Sequence, residues 1–260
     1  MISIGCCGTT ETYKLIKEMG YDYIELSGTQ LMSLSLEDFR HFVKEYERDV
    51  LPCRGFNAYC DEHYPIVGPG SGTEEAKQYA EKICMRGALL GIKSIGIGAP
   101  LARKLPVGYD YQKADLEMEA FLRMICEIAG SYGITVLLEA VHRYMCNYLT
   151  GTKETVEVVR RLNIPNLKIV LDYYHAMVMG ENLHNFDYAM PFVKHLHIST
   201  DEVNHQRGYI RAEDVPLIKT LLKEASDANY EGGISIEADL NALEKYGKDC
   251  LKNMREATLF

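Results

Sequence analysis

Four residues of types that bind divalent metals each lie at or near the end of an apolar run. They are Glu139, Asp172, His197 and Glu237, in the segments Val136-Leu137-Leu138-Glu139, Ile169-Val170-Leu171-Asp172, His195-Leu196-His197-Ile198 and Ile234-Ser235-Ile236-Glu237. If they converge, the three carboxylates would repel one another unless a cation neutralised them. An oxygen-rich set with one imidazole suits Mn²⁺, or else Mg²⁺, Co²⁺ or Zn²⁺. The pattern therefore predicts a divalent metal site.

Each acidic residue has an alternative role as the N-cap of a following helix, which Asp172 in particular could fill. Because such residues occur at four consecutive apolar runs, a shared metal site is favoured over four separate helix caps. His195 and His197 are two residues apart and share one face of a strand. We predict that His197, nearer the strand's carboxyl end, is the ligand and that His195 is a core or supporting imidazole.

Short β-rich runs alternate with amphipathic stretches along the whole chain. The predicted strands are 2–7, 21–26, 51–58, 92–96, 134–139, 167–172, 193–198 and 233–237, and the predicted helices are 10–19, 37–48, 74–90, 115–131, 152–162, 214–229 and 242–257, with another within 181–190. Eight such units indicate an α/β chain with a single (β/α)8 barrel domain over residues 1–260. A doubly wound sheet is the alternative, but Gly5-Cys6-Cys7-Gly8 does not form its glycine-rich phosphate loop. In a barrel, the four candidate ligands share one rim.

Composition excludes several classes of protein. The 260 residues are 47% hydrophobic and 25% charged, which is typical of a globular chain, and the net charge of −9 disfavours nucleic acids and anionic membranes as partners. No apolar run approaches the roughly 18 residues of a membrane span. The first residues lack the pattern of a signal peptide, so we predict a cytoplasmic protein. The eight cysteines are scattered without a C-x-x-C pair and are predicted to be reduced, buried thiols.

The motifs around these residues resemble the xylose isomerase-like barrel superfamily over nearly the whole chain. They include Val170-Leu171-Asp172-Tyr173-Tyr174-His175, His195-Leu196-His197-Ile198 and Ile236-Glu237. The superfamily includes ketose 3-epimerases, hydroxypyruvate isomerase, inosose dehydratase and endonuclease IV. The resemblance implies that Glu139, Asp172, His197 and Glu237 bind Mn²⁺ or a similar ion and that His175 contacts the substrate.

One segment departs from the ketose 3-epimerases, which typically read E-x-x-N-R-[FY]-E after the fifth strand. Here Glu139 is followed by Ala140-Val141-His142-Arg143-Tyr144-Met145, so a histidine replaces the asparagine and a methionine replaces the second glutamate. A histidine at this offset resembles the catalytic subunit of bacterial C-glycoside deglycosidases. That resemblance implies a lyase acting on 3-oxo-C-glycosides with Mn²⁺, in complex with a small β-sandwich subunit.

The predicted chemistry is enolisation of a keto-sugar. The metal would polarise a carbonyl while a base with a pKa near neutrality, such as His142, removes the α-proton. Without a leaving group, Glu139 and Glu237 would act as acid and base in an isomerase, epimerase or dehydratase. A barrel that binds sugar without catalysis is a further alternative.

Several other residues are candidates for substrate binding. Arg143 and Arg207 could orient hydroxyls through their guanidinium groups, or else form surface ion pairs. His63, which follows strand three, could line the pocket, and Tyr144 could stack on a sugar or an aromatic ring. We predict that the protein acts on a small sugar or glycoside and forms an oligomer, with a heteromer containing the small β-sandwich subunit as the alternative.

Overall fold

The barrel strands follow the predicted runs closely. In the computed structural model, which describes residues 2–260, they are β1 (Ile4–Gly8), β2 (Tyr23–Ser27), β3 (Cys53–Asn57), β4 (Ser94–Ile97), β5 (Thr135–Glu139), β6 (Leu167–Asp172), β7 (Val193–Ile198) and β10 (Ile234–Ile236). They are parallel and close in the order β1-β10-β7-β6-β5-β4-β3-β2, which confirms the (β/α)8 barrel. A short antiparallel hairpin, β8 (Thr200–Asp201) and β9 (Arg207–Gly208), follows β7.

Helices surround the barrel and shield its strands from water. They are α1 (Tyr13–Met19), α2 (Gly28–Ser33), α3 (Leu36–Arg48), α4 (Glu74–Leu90), α5 (Tyr111–Ser131), α6 (Thr152–Leu162), α7 (Tyr173–Val178), α8 (Val215–Asp227) and α9 (Leu243–Ala257), with 3₁₀ turns at Met190–Phe192, Val203–His205, Ala212–Asp214 and Leu240–Ala242. Because both faces of the strands are covered, successive residues such as Val136, Leu137 and Leu138 are all buried. None of the helices between residues 2 and 260 has the length and apolar character needed to cross a bilayer.

The prediction of a helix within residues 181–190 is wrong, because this segment consists mainly of turns and irregular structure. Instead, α7 begins directly after β6, because the Asp172 side chain accepts hydrogen bonds from the backbone N–H groups of Tyr174 and His175 at 2.8 and 3.4 Å. Gly180 then adopts φ 72°, a left-handed conformation that ends the helical path.

The eight cysteines are free and buried, as predicted.

Strand register places the candidate ligands at one level of the barrel. Asp172 on β6 is paired with His197 on β7. His197 is also paired with Ser235 on β10, so Glu237 lies two residues further along. On the other side, Glu139 on β5 is paired with Val170, two residues before Asp172. Four neighbouring strands thus bring the four side chains to the same end of the barrel.

Candidate metal centre and active site

The four predicted ligands form one cluster at the carboxyl end of the barrel. One ligand atom from each of Glu139, Asp172, His197 and Glu237 lies within 4.8 Å of the other three. His197 Nδ1 is 3.0 Å from Glu237 Oε2 and 3.5 Å from Glu139 Oε1. Glu139, Asp172 and His197 are buried, whereas the Glu237 side chain is 24% exposed and faces the opening.

The cluster fits a divalent cation. Glu139 Oε1, His197 Nδ1 and Glu237 Oε2 are buried atoms without a hydrogen-bond partner of good geometry among the described residues. Leaving such atoms unsatisfied costs free energy. A cation between them would satisfy all three, and the mixture of carboxylates and imidazole is one that Mn²⁺ and Zn²⁺ accept.

Asp172 combines the two roles that the sequence left open. Its Oδ1 caps α7, while its Oδ2 faces the cluster and accepts a hydrogen bond from Arg207 Nη2 at 2.6 Å. The helix cap fixes the orientation of the carboxylate, so that one oxygen remains directed at the other ligands. The cap and the candidate ligand are therefore the same side chain.

Arg207 reaches the cluster from the β8–β9 hairpin. Its Nη2 lies 3.2 Å from Glu237 Oε2 and 2.9 Å from His175 Nε2, and its guanidinium carbon is 4.2 Å from the centre of the Tyr174 ring. Its positive charge offsets part of the repulsion among the carboxylates. Of the two predicted arginines, Arg207 joins the site.

The acidic groups differ in how readily they carry a proton. Burial raises the pKa of Glu139 to about 7, and the charge of Glu237 adds to this effect. Burial acts in the same direction on Glu237 and Asp172, but the positive charge of Arg207, together with that of His197, outweighs it and lowers both pKa values. The metal-free site therefore holds one carboxyl that can be protonated near neutrality beside two carboxylates.

A cavity of about 580 Å³ opens above the cluster. Its lining includes Asn57, Met145, Tyr174, His205, Arg207 and Glu237. This volume lies within the range of small-molecule binding sites. A lining that combines polar groups with Met145 could hold a ligand with both hydroxyl and apolar parts.

His175 and His142 lie side by side and both pack near the ring of Tyr174, which lines this cavity. His175 is 4% exposed, and burial lowers its pKa to about 3, which leaves it as a neutral imidazole. The His142 ring centre is 5.0 Å from that of His175, its Nδ1 has no hydrogen-bond partner among residues 2–260, and burial lowers its pKa as well. His142 is 1% exposed and is therefore a buried residue, not a solvated loop histidine.

Three predicted substrate contacts lie further out. Tyr144 is 65% exposed and stacks on His205, with ring centres 4.5 Å apart, at the edge of the cavity. The structure does not bring Arg143 into the site, because its exposed side chain lies against Met179 Sδ. It does not bring His63 there either, because Asp61 accepts a hydrogen bond from the His63 backbone and holds its ring at the surface.

Two residues of the site were missed by the sequence reasoning. Asn57 ends β3, and its Nδ2 donates to Glu237 Oε1 at 3.5 Å. Cys7 lies near the end of β1, with its sulfur within 4.8 Å of ligand atoms of His197 and Glu237. Cys7 is the last residue of the predicted first strand and Asn57 the last but one of the predicted third, so nearness to a strand end is the signal that points to both.

Residues 13–254 match the model of the xylose isomerase-like TIM barrel family. The chain belongs to this family. The identity of this chain to individual relatives is low: a putative hydroxypyruvate isomerase of Xenopus laevis is 25% identical over 58% of this chain, and the match spans only 59% of that relative's length. The 3-dehydro-D-guloside 4-epimerase of Escherichia coli K12 is 23% identical over 89% of this chain and 87% of its own.

Two solved structures share the fold of this chain. The 3-keto-D-glucoside 4-epimerase of E. coli superposes with a TM-score of 0.76 at 18% identity, covering 98% of this chain and 99% of its own. The IOLI protein, solved with a bound zinc atom, superposes with a TM-score of 0.71 at 18% identity over 99% and 97% of the two chains. At this identity the superpositions establish the architecture.

Proposed function

We propose that this protein is a divalent-metal-dependent isomerase or epimerase of a keto-sugar. The observation that carries the proposal is the set of ligand atoms from Glu139, Asp172, His197 and Glu237 within 4.8 Å of one another. The related 4-epimerase and the putative isomerase, which act on small carbohydrates or hydroxy-keto acids by name, support the same class of chemistry. We propose Mn²⁺ as the ion, with Mg²⁺, Co²⁺ and Zn²⁺ as alternatives.

The two glutamates suit the proton transfers. A bound divalent ion would supply a Lewis acid that polarises a carbonyl group. Glu139 and Glu237 lie at the two ends of the arc β5-β6-β7-β10, so a substrate above the cluster would have one carboxyl on each side. With its pKa lowered, Glu237 is ionised and can accept the α-proton. Glu139, on the other side, would return a proton taken up from solvent, and exchange with water would restore both carboxyl groups after each turnover.

The remaining polar groups would orient the sugar. Arg207 Nη1 donates to Ser199 Oγ at 3.2 Å, which holds the guanidinium beside the cavity. His175 Nε2 faces Arg207 and Asp172 Oδ2, at 2.9 and 3.8 Å. Both side chains are fixed before substrate arrives, which lowers the entropic cost of positioning it.

Solvent-deuterium exchange tests the proposed function. Mn²⁺-loaded protein would be incubated in D₂O with a panel of ketoses, 3-keto-glucosides, inososes and hydroxypyruvate, and products followed by NMR. We expect deuterium to enter the carbon next to the carbonyl of one sugar class, with formation of its isomer or epimer. Absence of exchange across the panel by protein with a full complement of metal would support a barrel that only binds sugar.

The second candidate is the lyase acting on 3-oxo-C-glycosides, with a small β-sandwich subunit as partner. The unpartnered Nδ1 of His142 favours it, because a neutral imidazole is available as a second base. Met145 in the cavity lining also suits an apolar aglycone. In this reaction the base removes a proton from the sugar carbon next to the 3-keto group, and a proton is delivered to the ring carbon attached to the sugar. The bond between sugar and ring then breaks, its electron pair passing to the ring while a carbon–carbon double bond forms in the sugar.

Replacing His142 with glutamine separates the two candidates. For the isomerase, we expect turnover within about threefold of the unchanged protein, because the glutamates carry the protons, whereas loss of a catalytic base costs about 10²–10⁴-fold. The measurement is turnover of the exchanging sugar beside release of aglycone from a 3-oxo-C-glycoside. The matched control is the exposed His41→Gln, and retained metal content shows that the site is intact.

Metal affinity is expected to rise with pH. A carboxyl must lose its proton before it binds a cation. Since Glu139 has a pKa of about 7 in the metal-free protein, its ionised fraction increases about tenfold between pH 6 and pH 8. The pKa of His197 is also raised, because the charge of Glu25 outweighs the effect of burial, and this steepens the dependence. Calorimetric titration with Mn²⁺ at both pH values measures it, and equal affinities would contradict the prediction.

A further inference from the structure

A buried polar network lies one layer deeper in the barrel than the ligand cluster. Its centre is Glu25 on β2, which is 3% exposed. Glu25 Oε1 is 3.3 Å from His197 Nε2 and 2.5 Å from His195 Nε2, and it accepts a hydrogen bond from Ser235 Oγ. His197 therefore lies between Glu25 on one side and the other three candidate ligands on the other.

The network determines which nitrogen of His197 is free. To bind a metal ion, His197 must give up the second proton that it carries in the metal-free protein. The neutral imidazole then has one N–H, and a carboxylate can only accept. The nitrogen that faces Glu25 is Nε2, so Nε2 is the donor. The lone pair is then on Nδ1, the atom that lies 3.0 Å from Glu237 Oε2 and 3.5 Å from Glu139 Oε1.

We propose that Glu25 is a positioning residue that holds His197 in the Nε2–H tautomer and thereby sets the metal affinity of the site. The proposal rests on the metal site of the proposed function. Hydrogen bonds from a metal-bound histidine to a carboxylate fix the ring and its tautomer, and their loss typically weakens metal binding by about 10–100-fold. His195 and Ser235 in turn hold Glu25 in place through the contacts described above.

Two substitutions distinguish positioning of His197 by the Glu25 oxygen from charge balance, in which only the negative charge of Glu25 matters. Glu25→Gln removes the charge but keeps an oxygen at the same distance from Nε2. Glu25→Asp keeps the charge but withdraws the oxygen by the length of one methylene. If Glu25 acts by positioning His197, the Mn²⁺ affinity of Glu25→Gln should be within about threefold of that of the unchanged protein, and that of Glu25→Asp should be at least about tenfold weaker. Charge balance predicts the reverse order.

The experiment measures Mn²⁺ affinity by calorimetry and thermal unfolding for the unchanged protein, both Glu25 variants and the control Glu231→Gln, the same kind of change at an exposed position. We expect Glu231→Gln to bind Mn²⁺ normally, because Glu231 precedes β10 at the end of the strand away from the ligand cluster. Equal affinity of Glu25→Asp and the unchanged protein, the reverse order, or losses of affinity that follow the unfolding temperature across all variants would overturn the proposal. If the unchanged protein binds neither Mn²⁺, Mg²⁺, Co²⁺ nor Zn²⁺, the proposed function fails as well.

Discussion

Replacing Glu237 with glutamine is expected to lower kcat on the exchanging sugar by about 10³-fold, because this side chain combines a ligand position with the role of base. Glutamine has the same shape but cannot accept the α-proton. It also offers a weaker ligand atom beside His197 Nδ1. The measurement is turnover together with metal content by elemental analysis, at Mn²⁺ concentrations that saturate the variant.

The matched control is Glu231→Gln, the same change at an exposed position shortly before β10. It is expected to leave kcat and metal content unchanged. If Glu237→Gln kept more than a tenth of the turnover at full metal occupancy, Glu237 would be excluded as the base. His142 would then be the remaining candidate, and the lyase would become the better proposal.

Replacing Gly98 with alanine is expected to weaken turnover by about 10²-fold, because small misplacements of catalytic groups have effects of that size. A Cβ atom at position 98 would lie 2.4 Å from Glu139 Oε2. The atom that must move is the end of a flexible side chain, so the free energy of unfolding is expected to change by no more than about 1 kcal/mol. We therefore expect Gly98→Ala to lose turnover while its free energy of unfolding stays nearly unchanged.

Gly96→Ala provides the comparison, since it lies two residues earlier, and there the nearest atom to the new Cβ is the Phe56 carbonyl oxygen at 3.4 Å. We expect this variant to bind Mn²⁺ and turn over substrate normally. Mn²⁺ titration and urea unfolding of both variants test the pair. Unchanged metal affinity and turnover in Gly98→Ala would show that the observed orientation of Glu139 is not needed.

The arrangement of strands and the identity of the four candidate ligands follow from local sequence. Apolar runs such as Val136–Leu138 favour parallel strands covered on both faces, and a barrel places the next residue, Glu139, at its active rim. The same rule extends to Asn57. The prediction failed for the helix after β6, because there the Asp172 cap, and not an amphipathic pattern, determines where the helix begins. That residues 1–260 form one domain stays a prediction.

Only the tertiary structure decided how these side chains are oriented. Glu25 and His197 are 172 positions apart, and Arg207 is 35 positions from Asp172, so no local pattern reports their contacts. The burial of His142 beside His175, and the separation of His63 from the cluster, likewise depend on how the loops pack above the barrel. The identity of the candidate ligands is thus a property of strand ends, whereas tautomers, proton affinities and access depend on neighbours that are distant in the chain and close in space.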